Sequence, residues 1–231
     1  LNDGDSSVTQ SNGDSREANG TSVNSNGAGN ILLNAAAGSI SVQSAVDGGT
    51  GHISLISGND ITQTADGDIS TTDSGTIDLE AGNDITMVDG AAASTADQNI
   101  RYKAAGDISL GGLNAGTASL SLIAGSNILD GGDTDTDLTS ANLRMSAGGN
   151  IGEASGTNNG HLDLTIDELT AIAGGSEGIF VSNTQALTIA EVDTVIVNRV
   201  DTAATPGNEA DEASQSDIIT TSNGHIVLVT A

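Results

Sequence analysis

Cysteine is absent, so no disulfide holds this chain together. Basic residues are scarce too: lysine and arginine total 5 against 31 aspartates and glutamates, a formal charge of -26. That imbalance makes nucleic acid and anionic membrane surfaces poor partners, since both repel it. No apolar run approaches the length of a membrane span, which argues against membrane insertion. Aromatic side chains come to one phenylalanine and one tyrosine, with no tryptophan, beside 31 glycines. Composition alone would suit disorder. The placing of the isoleucines, leucines and valines overrules it, because apolar residues in register build a continuous narrow core even when few.

What is present is a ruler. From Gly51 to Met87 the sequence reads GHISLISGNDITQTADGDISTTDSGTIDLEAGNDITM, with Ile53, Ile61, Ile69, Ile77 and Ile85 at a constant step of eight. Around Ile53 and Ile77 the pattern is Ile-x-Leu, the period of a strand with one face inward. Glycine and Asx residues then turn the chain. GTIDLEAGNDI at Gly75 restates GHISLISGNDI at Gly51, so the unit is a coil of roughly 24 residues with up to three strands and three bends.

Residues 1–28, rich in Asn, Ser, Gly and Asp, read as a polar leader or irregular cap, and Leu1 suggests a segment of a longer precursor. Regular coils are expected over 29–190. The first strand leads with Ile31, Ile53, Ile77, Ile100, Leu120, Leu143, Leu162 and Ile179; its companions are Leu33, Leu55, Leu79, Tyr102, Leu122, Met145, Leu164 and Val181. The second strand opens with Ile40, Ile61, Ile85, Ile108, Ile128, Ile151, Leu169 and Leu187. Before it stand SGNDI, AGNDI, AAGDI, AGSNI and AGGNI, where glycine can supply positive φ and Asp or Asn can bond the following amides. Stacked at about 4.8 Å, Asp60, Asp84 and Asp107 would repel by about 0.9 kcal/mol in water. Asn127 and Asn150 hold the same place uncharged.

Extra residues gather in VDGAAASTADQ after Met87, LDGGDTDTDLTSA after Ile128 and GEASGTNNG after Ile151, and are expected to project from one side as an acidic ridge carrying Asp89, Asp97, Asp130, Asp133, Asp135, Asp137 and Glu153. Residues 191–231 read as an irregular continuation. Val192 to Val200 form a β-branched strand, 202–216 an acidic loop with the only proline, and GHIVLVTA a final partial coil restating GHISLIS. Short strands with no helix between them can stack only by coiling. The expected fold is an all-β right-handed parallel β-helix, or β-solenoid, with coils of roughly 20–24 residues and insertions on one side.

The AGNDI and GHISL units resemble the repeats of filamentous haemagglutinin-like bacterial adhesins and related giant surface proteins, over roughly Gly29 to Ala190 and again in the last eight residues. The resemblance implies a β-helical stalk exported to the surface of a bacterium.

Function follows the repeat. A β-helical polysaccharide-processing enzyme would need a carboxylate pair, or a basic residue beside calcium, in a groove. Arg16, Arg101, Lys103, Arg144 and Arg199 are scattered along the sequence, and Phe180 and Tyr102 fall in core columns. An ice-binding face needs a regular threonine array, which Thr62, Thr64, Thr71 and Thr72 begin but later coils do not continue. His52, His161 and His225 occupy the same place in three coils, interchangeable with Asn30, Thr76 and Asn99. Asp130, Asp133, Asp135 and Asp137 are the metal candidate, because calcium takes closely spaced oxygens. An EF-hand is excluded by Leu138 and Arg144 where that loop needs glycine and glutamate, and a solvated acidic loop is the other reading. The sequence thus points to a non-catalytic extracellular rod that needs no cofactor besides this candidate calcium. Its expected partners are neighbouring coils, identical subunits end to end, or host and biofilm glycans and surfaces.

Overall fold

Strand alternation decides the architecture. Ile53, Leu55, Ile77 and Leu79 are fully buried, and three- to five-residue strands can hide such side chains only by lying one coil on another. The computed structural model describes residues 6–8, 21–25, 27–132, 135–155, 160–210 and 213–231. The chain is a β-solenoid of about 7 turns with parallel stacked strands and, among the described residues, no helix.

Its first face stacks β3 (Ile31–Ala35), β6 (Ile53–Ser57), β9 (Ile77–Ala81), β12 (Ile100–Ala104) and β15 (Ser119–Ala124). A second face stacks β1 (Ser6–Val8), β4 (Ile40–Val42), β7 (Ile61–Gln63), β10 (Ile85–Met87), β13 (Ile108–Leu110) and β16 (Ile128–Asp130). The third stacks β2 (Thr21–Asn24), β5 (Ala45–Asp47), β8 (Ile69–Ser70), β11 (Ala92–Ser94) and β14 (Gly112–Asn114). Two strands of the 1–28 stretch, β1 and β2, therefore pair onto β4 and β5, with a register shift between Thr21 and Val23. Like residues stack on like: Ile53 on Ile77 on Ile100, Ile61 on Ile85 on Ile108, Val46 on Ile69 on Ala93. The three columns merge into one core, in which each buried Ile or Leu contributes about 1.5–3 kcal/mol. Tyr102 lies inside this core, where its hydroxyl donates to Gln63 Oε1 at 2.8 Å and burial pushes the phenol pKa upward.

The bend motif ties coil to coil. Asp84 N donates to Asp60 Oδ1 at 3.3 Å, Asp107 N to Asp84 Oδ1 at 2.8 Å, Asn127 N to Asp107 Oδ1 at 2.7 Å and Asn150 N to Asn127 Oδ1 at 2.8 Å. Each side chain thus reaches the next coil's amide rather than its own following residues. Glycine serves close approach here, not positive φ: Gly82 has none, and a Cβ on it would stand 2.1 Å from the Gly58 carbonyl oxygen.

After Leu143 the register departs from the sequence reading. β17 (Leu138–Ala147) and β18 (Leu162–Ala173) run from the third face into the first without a bend. Leu169, not Leu162, therefore follows Leu143 in the first column, while Leu164 pairs with Leu138 on the third face. Ile179, in β19 (Gly178–Asn183), bridges to Ile151 and so belongs to the second face. β24 (His225–Thr230) pairs with β19, so GHIVLVTA does not lie on the face of the stretch it restates. VDGAAASTADQ is no insertion, since it contains β11. The longer bends leading into Leu138 and Leu162 do share one corner, between second and third faces; Asp97, whose Oδ1 accepts from Thr117 N at 2.7 Å, sits at another.

Candidate functional site

Between the first two inward residues of each first-face strand one side chain points outward. In register these are Leu32, Ser54, Asp78, Arg101, Ser121, Arg144 and Thr170. Leu32 is half-buried, and the other six are buried although they lie outside the core.

The cover is a strap whose described residues are 191–210 and 213–217. The chain leaves the stack after β20 (Thr188–Ile189), where Ile189 pairs with Leu169, and rejoins it at β23 (Ile218–Thr220), where Ile218 pairs with Ala171. The whole excursion thus replaces one register position. Within it β21 (Ile196–Val200) and β22 (Pro206–Ala210) form an antiparallel hairpin, closed at the tip by Asp201 Oδ1 accepting from Ala203 N and Thr205 N, both at 2.8 Å. Val192 and Gln215 bridge its base. Val195, Val197 and Val200 turn against the rod and are buried. Of the strand expected over 192–200, Ile196–Val200 forms β21 and Val192 makes an isolated bridge, while the acidic loop after it carries β22 and returns as a paired strand.

The strap crosses the coils with one main-chain contact at each. Asn99 Nδ2 donates to Ile196 O at 2.9 Å, Asn198 N donates to Thr76 Oγ1 at 2.9 Å, Val200 N to Ser54 Oγ at 2.9 Å, and Asn30 Nδ2 donates to Ala204 O at 3.0 Å. An ion-pair clasp lies beside this line. Arg199 donates from Nε to Asp78 Oδ2 at 2.7 Å and from Nη2 to Glu80 Oε2 at 2.6 Å; Arg101 Nη1 meets Asp78 Oδ1 at 2.7 Å. Lys103 lies 3.8 Å from Glu80, and Glu209 lies within 4 Å of both arginines, at 3.8 and 3.7 Å. Burial raises the Glu80 pKa, but the Arg199 hydrogen bond and charge, then Lys103 and Arg101, outweigh it and hold the carboxyl below its usual range. Burial lowers the Arg199 pKa, yet hydrogen bonds and charges of Asp78 and Glu80 leave it raised. A cavity of 170 Å³ adjoins the clasp, with Arg101, Lys103, Arg144 and Glu209 in its wall.

Four of the five basic residues, scattered in sequence, therefore meet on one face; Arg16 lies outside the described residues. Their register was available, since Arg101 follows Ile100 and Arg144 follows Leu143 in the same column. Nothing in the sequence marks Arg199 as their neighbour.

The expected metal residues divide. Asp130 Oδ1 accepts from Gly132 N at 2.7 Å, and Asp137 is buried, its Oδ2 accepting from Asp163 N at 2.7 Å. Asp135 is exposed and Asp133 lies outside the described residues. Among the described residues no group of three or more His, Cys, Asp or Glu is placed to hold a metal ion.

The histidines do not share one place. His52 heads a first-face strand, its Nδ1 accepting from Thr76 N at 3.1 Å, as Asn30 Oδ1 accepts from His52 N and Asn99 Oδ1 from Ser119 N. It therefore does act as a bend residue interchangeable with Asn30 and Asn99. His161 precedes a third-face segment, with its ring 5.8 Å from that of Phe180, and His225 pairs with Gly178. Phe180 is buried but outside the core cluster, because alternation in β19 turns Ile179 and Val181 inward instead.

No protein-family model, curated protein or solved structure matches the chain.

Proposed function

We propose that this chain is a non-catalytic structural rod of a secreted or surface-displayed bacterial adhesin or extracellular fibre. One observation carries the reading: every coil supplies backbone partners, an apolar step and a bend acceptor to the next, so the fold gains length by repetition alone. The carboxylates of the clasp are engaged by guanidinium groups, which suits fastening rather than proton transfer. High negative charge discourages rods from clumping side by side. Glycans or host surfaces are the contacts such a rod would hold at a distance from the cell.

A second reading is a filament subunit stacking end to end, in which the outermost strands of one chain pair with those of the next by the same coil-on-coil rule. Ile226 and Leu228 continue the columns of Ile179 and Val181 and are 49% and 37% exposed. Electron microscopy of the purified chain at rising concentration, in millimolar calcium, tests both. Short single rods at every concentration support the stalk, and filaments with a regular axial repeat support the subunit. Particles with no rod form would remove both readings.

A further inference from the structure

We propose that the outer surface of the first face is a strand-binding site, which the strap fills in cis and an extended segment of the same chemistry can fill in trans. Three observations carry this. First, the strap is one insertion: it leaves at Ile189 and returns at Ile218, whose partners Leu169 and Ala171 are two apart in a single strand. The coil path closes without it. Second, the rod recognises main chain. Asn99, Thr76 and Ser54 meet residues 196, 198 and 200, one coil for every second residue, and the rod's side chains make these bonds whatever side chains the strand carries. Third, the strand is selected by a charged contact, where Asp78 and Glu80 hold the guanidinium of Arg199 in a fork, set among the buried apolar side chains of Val195, Val197 and Val200. The ligand class is therefore an extended peptide with an arginine at that position, and the strap of a second copy has that chemistry.

The test uses the full chain. A fluorescent peptide of residues 192–204 is titrated onto the native protein and onto Arg199→Glu, in which the clasp is repelled. A site occupied in cis lowers the apparent affinity by the fraction that is free, so the variant should bind the peptide at least about tenfold more tightly than the native chain does. The same peptide carrying glutamate in place of its arginine should lose that binding. In parallel, hydrogen exchange on Arg199→Glu should speed up at the strap amides and leave β6, β9 and β12 protected. Equal, weak binding of both peptides to the variant would overturn the proposal. So would exchange that rises through β6, β9 and β12 together with the strap, because the strap would then be part of the rod's own cooperative unit.

Discussion

At each bend one side chain serves two coils, and its value lies in the acceptor rather than the charge. Asp84 accepts from Asp107 N of the next coil, and Asn127 does the same for Asn150 N. Asp84→Asn should therefore be nearly neutral, while Asp84→Ala should cost about 1–3 kcal/mol by leaving an amide without its partner; urea unfolding of the two variants checks the difference. His52 holds the equivalent post with a ring nitrogen, which can accept only while neutral. Burial lowers its pKa from 6.5. The folded chain therefore takes the proton later than the unfolded one, so stability is full above pH 6.5 and declines as pH falls from there toward the folded pKa. His52→Asn, keeping an acceptor that does not titrate, should flatten that part of the melting-temperature profile between pH 7 and 5. The GND motif announced a bend correctly but not the direction of its bond. A contact spanning 23 residues is local only after the coil length is known.

Among the strands, the columns were legible as far as Leu143 because a glycine–Asx bend punctuates each coil. β17 and β18 run 10 and 12 residues straight through a corner, so the pattern offers two leucines, Leu162 and Leu169, for one place. Gly174, whose added Cβ would meet Gly148 O at 2.3 Å, marks the true bend and is the signal that settles it. Docking of the strap was not legible, because the contact of Arg199 with Asp78 spans 121 residues and repeats nothing. Two predictions belong here. Ile85→Asp places a carboxylate at a fully buried column position and should cost several kcal/mol, lowering both circular dichroism and melting temperature; an unchanged melt would refute the register. The second concerns the clasp. Glu80 has a lowered pKa, so its contribution is complete above its ordinary value of 4.5 and is lost as pH falls through the folded value. Arg199→Ala should thus melt lower than the native chain at pH 7, and the gap should narrow below pH 4.

For the molecule as a whole, the charge of -26 sits on a narrow rod whose bends stack Asp60, Asp84 and Asp107 in consecutive coils. Self-repulsion of this kind opposes the compact state, and salt relieves it as the screening length shrinks from about 30 Å at 0.01 M to about 8 Å at 0.15 M. The melting temperature should rise over that range. The kind of salt separates screening from binding. With Asp130 and Asp137 already engaged by backbone amides, sodium and calcium chloride at equal ionic strength are expected to raise the melting temperature alike. A larger rise in calcium that disappears in Asp135→Asn would instead place a cation at the 130–137 bend. The Asp137→Asn chain is the control, since an amide oxygen can still accept from Asp163 N while the charge is gone. If it leaves both the stability and the response to calcium nearly unchanged, Asp137 belongs to the ladder that joins the coils, where only the acceptor counts, and not to an ion.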